Sequence, residues 1–163
     1  MKFIVGENGV LVKAELLNEL PAIPEGVRNI GEGEFCEPVA LLDVEIPHGV
    51  KGIGEGAFAR CDWLASVAIP GTVTAIGNRA FYDCWSLRDV TIPDSVTHIG
   101  DETFAECNQL ANITLPKGLQ YIGERAFAWC ESLRGPIILS GETRVGAEAF
   151  YGCNCAITYK GAP

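Results

Sequence analysis

Residues 64–84 read L-A-S-V-A-I-P-G-T-V-T-A-I-G-N-R-A-F-Y-D-C, and residues 87–107 read L-R-D-V-T-I-P-D-S-V-T-H-I-G-D-E-T-F-A-E-C. The two stretches place leucine, proline, glycine, phenylalanine and cysteine at the same positions, 23 residues apart. A fixed period of this length indicates a repeat architecture. A unit this short cannot bury an apolar face alone, so the units must stack as successive coils of a solenoid.

The same period runs through most of the chain. Phenylalanine recurs every 23 residues, at Phe35, Phe58, Phe81, Phe104, Phe127 and Phe150. Isoleucine or valine followed by glycine precedes each of them, and cysteine follows five of them, at Cys61, Cys84, Cys107, Cys130 and Cys153. These ladders predict six 23-residue repeats over residues 23–160, an N-terminal cap over residues 1–22 and a C-terminal tail over residues 161–163.

The spacing within one unit predicts its local structure. Val67 and Ile69 alternate with small or polar neighbours, which is the period of a strand with one buried face. Pro70 ends that strand because it cannot donate to a ladder of hydrogen bonds. The apolar residues that follow predict a short return strand, and Ala80–Cys84 is long enough for one helical or 3₁₀ turn. In the cap, two apolar runs flank Asn8-Gly9, a strong signal for a β-hairpin.

Composition limits the possible functions. The 163 residues are 48% hydrophobic, which fits one folded domain, and carry a net charge of −9. An acidic chain without basic runs is a poor partner for nucleic acid. No apolar run is long enough to span a bilayer, and the N-terminus does not read as a secretory signal. As written, the sequence predicts a cytoplasmic protein, unless an export segment was removed before the numbering begins.

The seven cysteines admit two interpretations, a set of disulfides or metal ligands, and a column of buried thiols. A separation of 23 residues matches no zinc motif. Parallel side chains of an in-register stack also have poor geometry for disulfide bonds. The sequence therefore favours reduced, buried thiols that act as small hydrophobes, with Cys36 and Cys155 outside the ladder.

Other chemical motifs are weak. Residues 52–57 match the loose G-x-G-x-x-A dinucleotide fingerprint, but no long helix fits before Pro70. Carboxylates follow the ladder glycine at Glu32, Glu55, Asp101 and Glu124; they form either a calcium site or, as we expect, a solvated turn. The two histidines have no ligand or triad partners at suitable spacing. We expect no catalytic residues, no cofactor and no metal.

Recognition must then use the outer surface. The first candidate is the exposed face of the strands, with two outward columns: Asp43, Ser66, Asp89, Asn112 and Gly135, and Glu45, Ala68, Thr91, Thr114 and Ile137. The second is a flank of aromatic residues outside the core ladders: Trp63, Tyr82, Trp85, Tyr121, Trp129 and Tyr151. These rings either pack the loops between coils or contact a protein or glycan, since tryptophan and tyrosine are enriched at binding hot spots.

The unit L-x-x-V-x-I-P-x-x-V-x-x-I-G-x-x-A-F-x-x-C resembles the BspA-type, or treponemal-type, leucine-rich repeat of bacterial proteins. The resemblance implies an α/β repeat solenoid: a right-handed leucine-rich-repeat coil with a parallel concave sheet, short return strands and short helical or 3₁₀ turns. It also implies a non-catalytic protein-binding module, adhesin-like, with a host matrix or bacterial surface protein as partner. A cell-surface or secreted location follows from the same resemblance. The alternative is a structural or self-assembling repeat protein without an external ligand.

Overall fold

The computed structural model describes residues 2–5, 9–15, 23–33, 35 and 41–160. They form a parallel-strand β-solenoid. Its strands are β1 Lys2–Val5, β2 Val10–Glu15, β3 Asn29–Ile30, β4 Asp43–Glu45, β5 Gly52–Ile53, β6 Ser66–Ala68, β7 Ala75–Ile76, β8 Asp89–Thr91, β9 His98–Ile99, β10 Asn112–Thr114, β11 Tyr121–Ile122, β12 Arg134–Ser140, β13 Arg144–Val145 and β14 Asn154–Lys160.

Three sheets run along the stack. The largest has eight strands in the order β1-β2-β3-β5-β7-β9-β11-β13, and only its first pair, β1 and β2, is antiparallel. The second is a parallel sheet in the order β10-β8-β6-β4. The third contains β12 and β14 alone. From β3 onward, the paired residues of neighbouring coils in the two larger sheets are 23 apart, for example Val44 and Val67, which confirms the register that the repeat predicts.

The core is a set of columns that follow the ladders. Phe58, Phe81, Phe104 and Phe127 are fully buried and stack on one another, with interplanar angles of 2–4°. Their ring centroids lie 5.2–5.4 Å apart, close to the spacing of neighbouring β-strands. Each coil therefore buries its apolar face against the coils on both sides, as a solenoid requires.

The segment after each ladder glycine is a hydrogen-bonded turn, and no helix occurs between residues 41 and 160. Gly56 and Arg60 both have a left-handed backbone, with φ of 58° and 59°. The N–H groups of Ala57, Ala59 and Cys61 donate to carbonyls three residues back in their own coil. The intervening N–H groups, at residues 56, 58 and 60, donate instead to carbonyls of the next coil.

The expected helical or 3₁₀ turn, and with it the α/β class, is therefore not confirmed. A helix directs every N–H group along its own chain. Here two left-handed residues in each turn aim alternate N–H groups at the neighbouring coil. The turn thus becomes a further ladder between coils, which the apolar pattern cannot distinguish from a helical turn.

The left-handed positions that lack glycine provide a direct test. A left-handed backbone costs an L-residue about 1 kcal/mol or more, and glycine avoids that cost. We expect Arg60→Gly to raise the free energy of unfolding by about 0.5–1 kcal/mol. Arg88→Gly is the matched control, because Arg88 is also exposed but has no positive φ, so glycine there lowers stability. Urea denaturation of both variants measures the difference, and a loss of stability in Arg60→Gly would contradict this account.

The division into a cap over residues 1–22, repeats over 23–160 and a tail over 161–163 stays a prediction. β1 and β2 pair as antiparallel strands, and β2 joins the first parallel strand, β3. Asn8, Cys36 and residues 161–163 lie outside the described residues.

Candidate functional site

The outward columns of the four-stranded sheet are solvent-exposed. In each strand the central residue faces the core, whereas the residues on either side face solvent: Asp43 and Glu45, Ser66 and Ala68, Asp89 and Thr91, Asn112 and Thr114. These are eight of the ten residues that the strand period places on this face; the other two, Gly135 and Ile137, belong to the last coil. The face carries three carboxylates and no basic side chain among them.

Polar side chains on this face bond to one another across the strands. Ser66 Oγ donates to Asp43 Oδ1 over 2.5 Å, and Asn112 Nδ2 donates to Asp89 Oδ1 over 2.6 Å. Both pairs link residues exactly one coil apart. The two aspartates are thus held in fixed positions, while their remaining carboxylate oxygens face solvent. The result is a shallow, rigid and acidic surface.

The last coil departs from this pattern, and one expectation for it is wrong. Ile137 belongs to an outward column by the repeat period, yet it is buried, and Ile138 is exposed instead. Gly135 has φ of 82° just before them. After this left-handed glycine, the alternation between buried and exposed residues is displaced by one position. Every following side chain of the strand therefore lies on the opposite face from the one that the repeat predicts. Pro136 occupies the valine position of the repeat, and it was the available signal for this change.

β12 does not pair with β10, and two clefts that the repeat pattern does not predict lie near this end of the stack. One cleft of about 640 Å³ is lined partly by His98, Lys117, Tyr121 and Arg144. Its rings are close, since the centroids of His98 and Tyr121 lie 6.3 Å apart. A second cleft of about 380 Å³ lies beside it and has a more apolar lining, which includes Ile138.

The six candidate aromatic residues do not form one surface. Five are exposed, by 36–61%, namely Trp63, Trp85, Tyr121, Trp129 and Tyr151, whereas Tyr82 is half-buried. Tyr121 lines the cleft beside β12. Trp63 and Trp85 lie on the loops after the cysteine ladder. Tyr82, Trp129 and Tyr151 share a third place, a groove across the turns.

This groove has a volume of about 430 Å³ and is hereafter called the turn groove. Ala105 and Ala128 form its buried floor, and Tyr82 and Tyr151 stand at its two ends. These four residues occupy one column of the repeat, at successive 23-residue intervals. Because the middle two positions are alanine, the column leaves a trough between two tyrosines.

Trp129 closes one end of the turn groove. Its ring meets Tyr151 edge to face, with centroids 5.0 Å apart and an interplanar angle of 88°. It also lies over Gly152, where an added Cβ would be 2.7 Å from the indole ring. The tryptophan is therefore held against the next coil even though nearly half of its surface is exposed.

Two ion pairs lie at the turn groove and involve its lining residues Glu102, Arg125 and Glu148. Arg79 binds Glu102 through two hydrogen bonds of 2.8 and 3.2 Å, and this contact lowers the pKa of the carboxyl. Arg125 binds Glu148 over 2.6 Å. Both pairs join neighbouring coils and are exposed, so each adds little to stability. Both arginines are thus already paired with carboxylates of the protein.

Glu106 has a different partner. Its Oε1 accepts a hydrogen bond of 2.7 Å from the Tyr82 hydroxyl. This hydrogen bond, with burial and the nearby negative charge, raises the pKa of Tyr82 to about 12. Among the described residues no lysine, arginine or histidine lies within 4 Å of the Glu106 carboxylate. The groove thus contains a carboxylate that is not paired with a cation.

The cysteine ladder has a structural role. Each ladder thiol donates to the carbonyl of a ladder phenylalanine 26 residues earlier, as Cys84 Sγ does to Phe58 O over 3.1 Å. Burial raises the pKa of Cys84 well above its usual value, so the group stays a neutral thiol. The thiols of Cys84, Cys107, Cys130, Cys153 and Cys155 are free, which fits the column of buried thiols.

The other motifs of the sequence lie in strands and turns of the described part of the chain. Residues 52–61 form a strand and a turn, without the helix that a dinucleotide site needs. Asn78 and Asp101, in the column after the ladder glycine, accept backbone N–H groups of the next coil over 2.9 and 2.8 Å. No group of three metal-ligating side chains occurs among the described residues. Within the same residues, no helix is long and apolar enough to cross a membrane.

Comparison with solved structures supports the fold. A leucine-rich repeat protein of T. pallidum is 24% identical; the match covers 93% of this chain and 85% of that one, with a TM-score of 0.63. The pneumococcal vaccine antigen PcpA is 18% identical, with coverages of 98% and 48% and a TM-score of 0.78. A leucine-rich repeat protein from Bacteroides ovatus is 25% identical, with coverages of 92% and 52% and a TM-score of 0.58. The chain thus spans about half the length of the last two.

The family comparison is more specific. No curated protein sequence matches the chain at a significant level. The model of the BspA type leucine-rich repeat region matches residues 23–156 with six copies of the repeat. Those residues contain the phenylalanine, glycine and cysteine ladders described above. The chain therefore belongs to the BspA-type leucine-rich repeat family.

Proposed function

We propose that this leucine-rich repeat module binds a protein partner, without catalysis, in the manner of an adhesin. The observation that carries the proposal is the set of large aromatic side chains that stay exposed outside a filled core, by 46–61% at Trp63, Trp85, Trp129 and Tyr151. Such side chains supply much of the affinity at protein interfaces. The ladders fix the backbone around them, so little ordering accompanies binding.

Two surfaces are candidates for the contact. One is the acidic face of the four-stranded sheet, which favours a basic partner and salt-sensitive association. The other is the turn groove, where the exposed rings of Trp129 and Tyr151 lie together. A host matrix protein or a bacterial surface protein fits either surface, and membership in the BspA-type family supports a location at the cell surface.

A capture experiment tests the proposal. The immobilised protein is exposed to host extracellular-matrix extract and to bacterial lysate, at low and high salt. We expect salt-sensitive capture of a matrix or cell-surface protein. We expect the double variant Asp89→Arg with Asn112→Arg to keep its fold, since both side chains face solvent. It should no longer capture a partner that binds the sheet face. Capture of nothing, or of cytoplasmic proteins alone, would contradict the adhesin-like role.

A second candidate function is self-association through the last coil. Val145, Phe150 and Cys153 are only half-buried there, although residues at the same ladder positions in earlier coils are buried. Ile157 is also half-buried, whereas its strand partner Ile137 is buried. Among the described strands, β13 and β14 each lie at the edge of their sheet. An unpaired edge beside apolar side chains favours pairing with a second copy.

Light scattering over a range of concentrations tests this second candidate. We expect the mass to rise toward a dimer, and Ile157→Lys to keep the protein monomeric. A strict monomer at all concentrations would exclude self-association. A dimer that persists in Ile157→Lys would place the interface elsewhere.

A further inference from the structure

The turn groove is a trough of defined length. Tyr82 and Tyr151 mark its ends and are separated by three coil spacings, or about 14 Å at roughly 4.8 Å each. A peptide in the polyproline II conformation rises about 3.1 Å per residue, so four to five residues span this distance. The alanine floor leaves room for the chain to lie along the stack.

The walls of the turn groove suit proline rings. Trp129 and Tyr151 meet edge to face, so their ring surfaces form a notch at one end. Aromatic-lined grooves recognise proline-rich segments because the polyproline II conformation is already extended and little order is lost on binding. Trp129 rests on Gly152 and is therefore already held in place before any ligand arrives.

The charges of the turn groove select a cationic ligand. Three of its lining residues are glutamates; Glu102 is paired with Arg79 and Glu148 with Arg125, so Glu106 is the one left over. Glu106 uses one oxygen for Tyr82 and has no cation partner within 4 Å among the described residues. A lysine or arginine of a ligand would complete this pairing beside the aromatic rings.

We propose that the turn groove binds an extended, basic, proline-containing segment of a partner protein. This inference rests on the proposed protein-binding function and names the chemistry of the partner. The proline rings pack against Tyr151 and Trp129, and a basic side chain binds Glu106. The acidic net charge of the chain, −9, assists the approach of such a segment.

The test uses a fluorescent eight-residue peptide that alternates arginine and proline, titrated onto the full chain at low salt. We expect saturable binding. Tyr151→Ala weakens it about tenfold or more, as expected for an aromatic anchor. Glu106→Gln weakens it about tenfold by removing the charge while keeping a hydrogen-bond acceptor for Tyr82. Leu42→Ala is the control, because Leu42 is a large apolar side chain that is 49% exposed and lies outside the groove, and this variant leaves binding unchanged.

Control ligands separate the groove from general attraction to an acidic surface. A peptide alternating arginine and glycine has the same charge but lacks the preformed extended conformation, and we expect it to bind several-fold more weakly. Equal binding of both peptides, binding unaffected by Tyr151→Ala, or a preference for a neutral oligosaccharide would overturn the proposal. Circular dichroism of each variant ensures that only folded protein is compared.

The outcomes also separate this inference from the proposed function. If the wild-type protein captures a matrix protein, and both groove variants capture it equally well, the module binds elsewhere and the inference fails alone. If the peptide binds as expected but no matrix or surface protein is captured, the adhesin-like role fails and the groove stands as a peptide site.

Discussion

Phe104→Ala should cost about 4 kcal/mol of unfolding free energy. The ring is fully buried and stacks on Phe81 and Phe127, with centroids 5.2 and 5.4 Å away. Removing a buried phenylalanine loses its burial and leaves a cavity, which together cost about 3–5 kcal/mol. Two offset-stacked contacts are lost as well. Because each coil contacts only its neighbours, we also expect the two halves of the stack to unfold less cooperatively.

Guanidinium denaturation followed by circular dichroism measures both effects. Phe150→Ala is the matched control, since among the described residues Phe150 stacks only on Phe127, and it is half-buried. Phe150→Ala should lower the free energy of unfolding by clearly less than Phe104→Ala. Its unfolding transition should stay as steep as that of the wild type. Equal losses in the two variants would show that stacking on both sides adds nothing.

Gly123→Ala should lower the free energy of unfolding nearly as much, although it adds only one methyl group. A Cβ at this position would lie 2.5 Å from the backbone N of Asp101 and from the backbone C of Gly100. Backbone atoms of a packed coil cannot rotate away, so the coils must separate locally. We expect a loss of about 3 kcal/mol, the upper range for overpacking a well-packed site.

Gly118→Ala is the control for this prediction. No atom lies within 4 Å of a Cβ built at Gly118, and its φ is not positive. The substitution should leave stability unchanged or raise it by a few tenths of a kcal/mol, because alanine restricts the unfolded chain. Thermal denaturation of the pair measures the contrast. Similar stabilities for both variants would show that the ladder glycine is not required for close approach of the coils.

The repeat made most of the architecture predictable from sequence. Period and register follow from where phenylalanine, glycine and cysteine recur, because every coil must present the same contacts to the next. The turn conformation did not follow, since Phe81 and Cys84 lie three residues apart in a helical turn and in this turn alike. The left-handed residues of the turns are identified only by the backbone angles of the structure. Most of them are not glycine, so the sequence carries no signal for them.

The candidate sites were predictable in part. Strand alternation placed Asp43 and Asp89 on an exposed face, and the structure has them there. The same alternation gave the wrong prediction for Ile137, because the left-handed Gly135 before it reverses which residues of the strand face the core. The turn groove could be read from sequence only by comparing one column across coils, where tyrosine, alanine, alanine and tyrosine follow in order. Which charged side chains of the groove pair with one another could not be predicted from the sequence, because that depends on the positions of the side chains.

The alternation of N–H groups in the turns bears on how the molecule responds to mechanical force. Strands and turns alike bond each coil to the next, so successive interfaces resemble one another closely. A pull applied along the stack would detach coils from an end one at a time rather than break the whole molecule at once. Each detached coil releases 23 residues, or about 80 Å of extended chain. Under load, the regular coils would therefore be released in steps of similar length, and each step would dissipate energy.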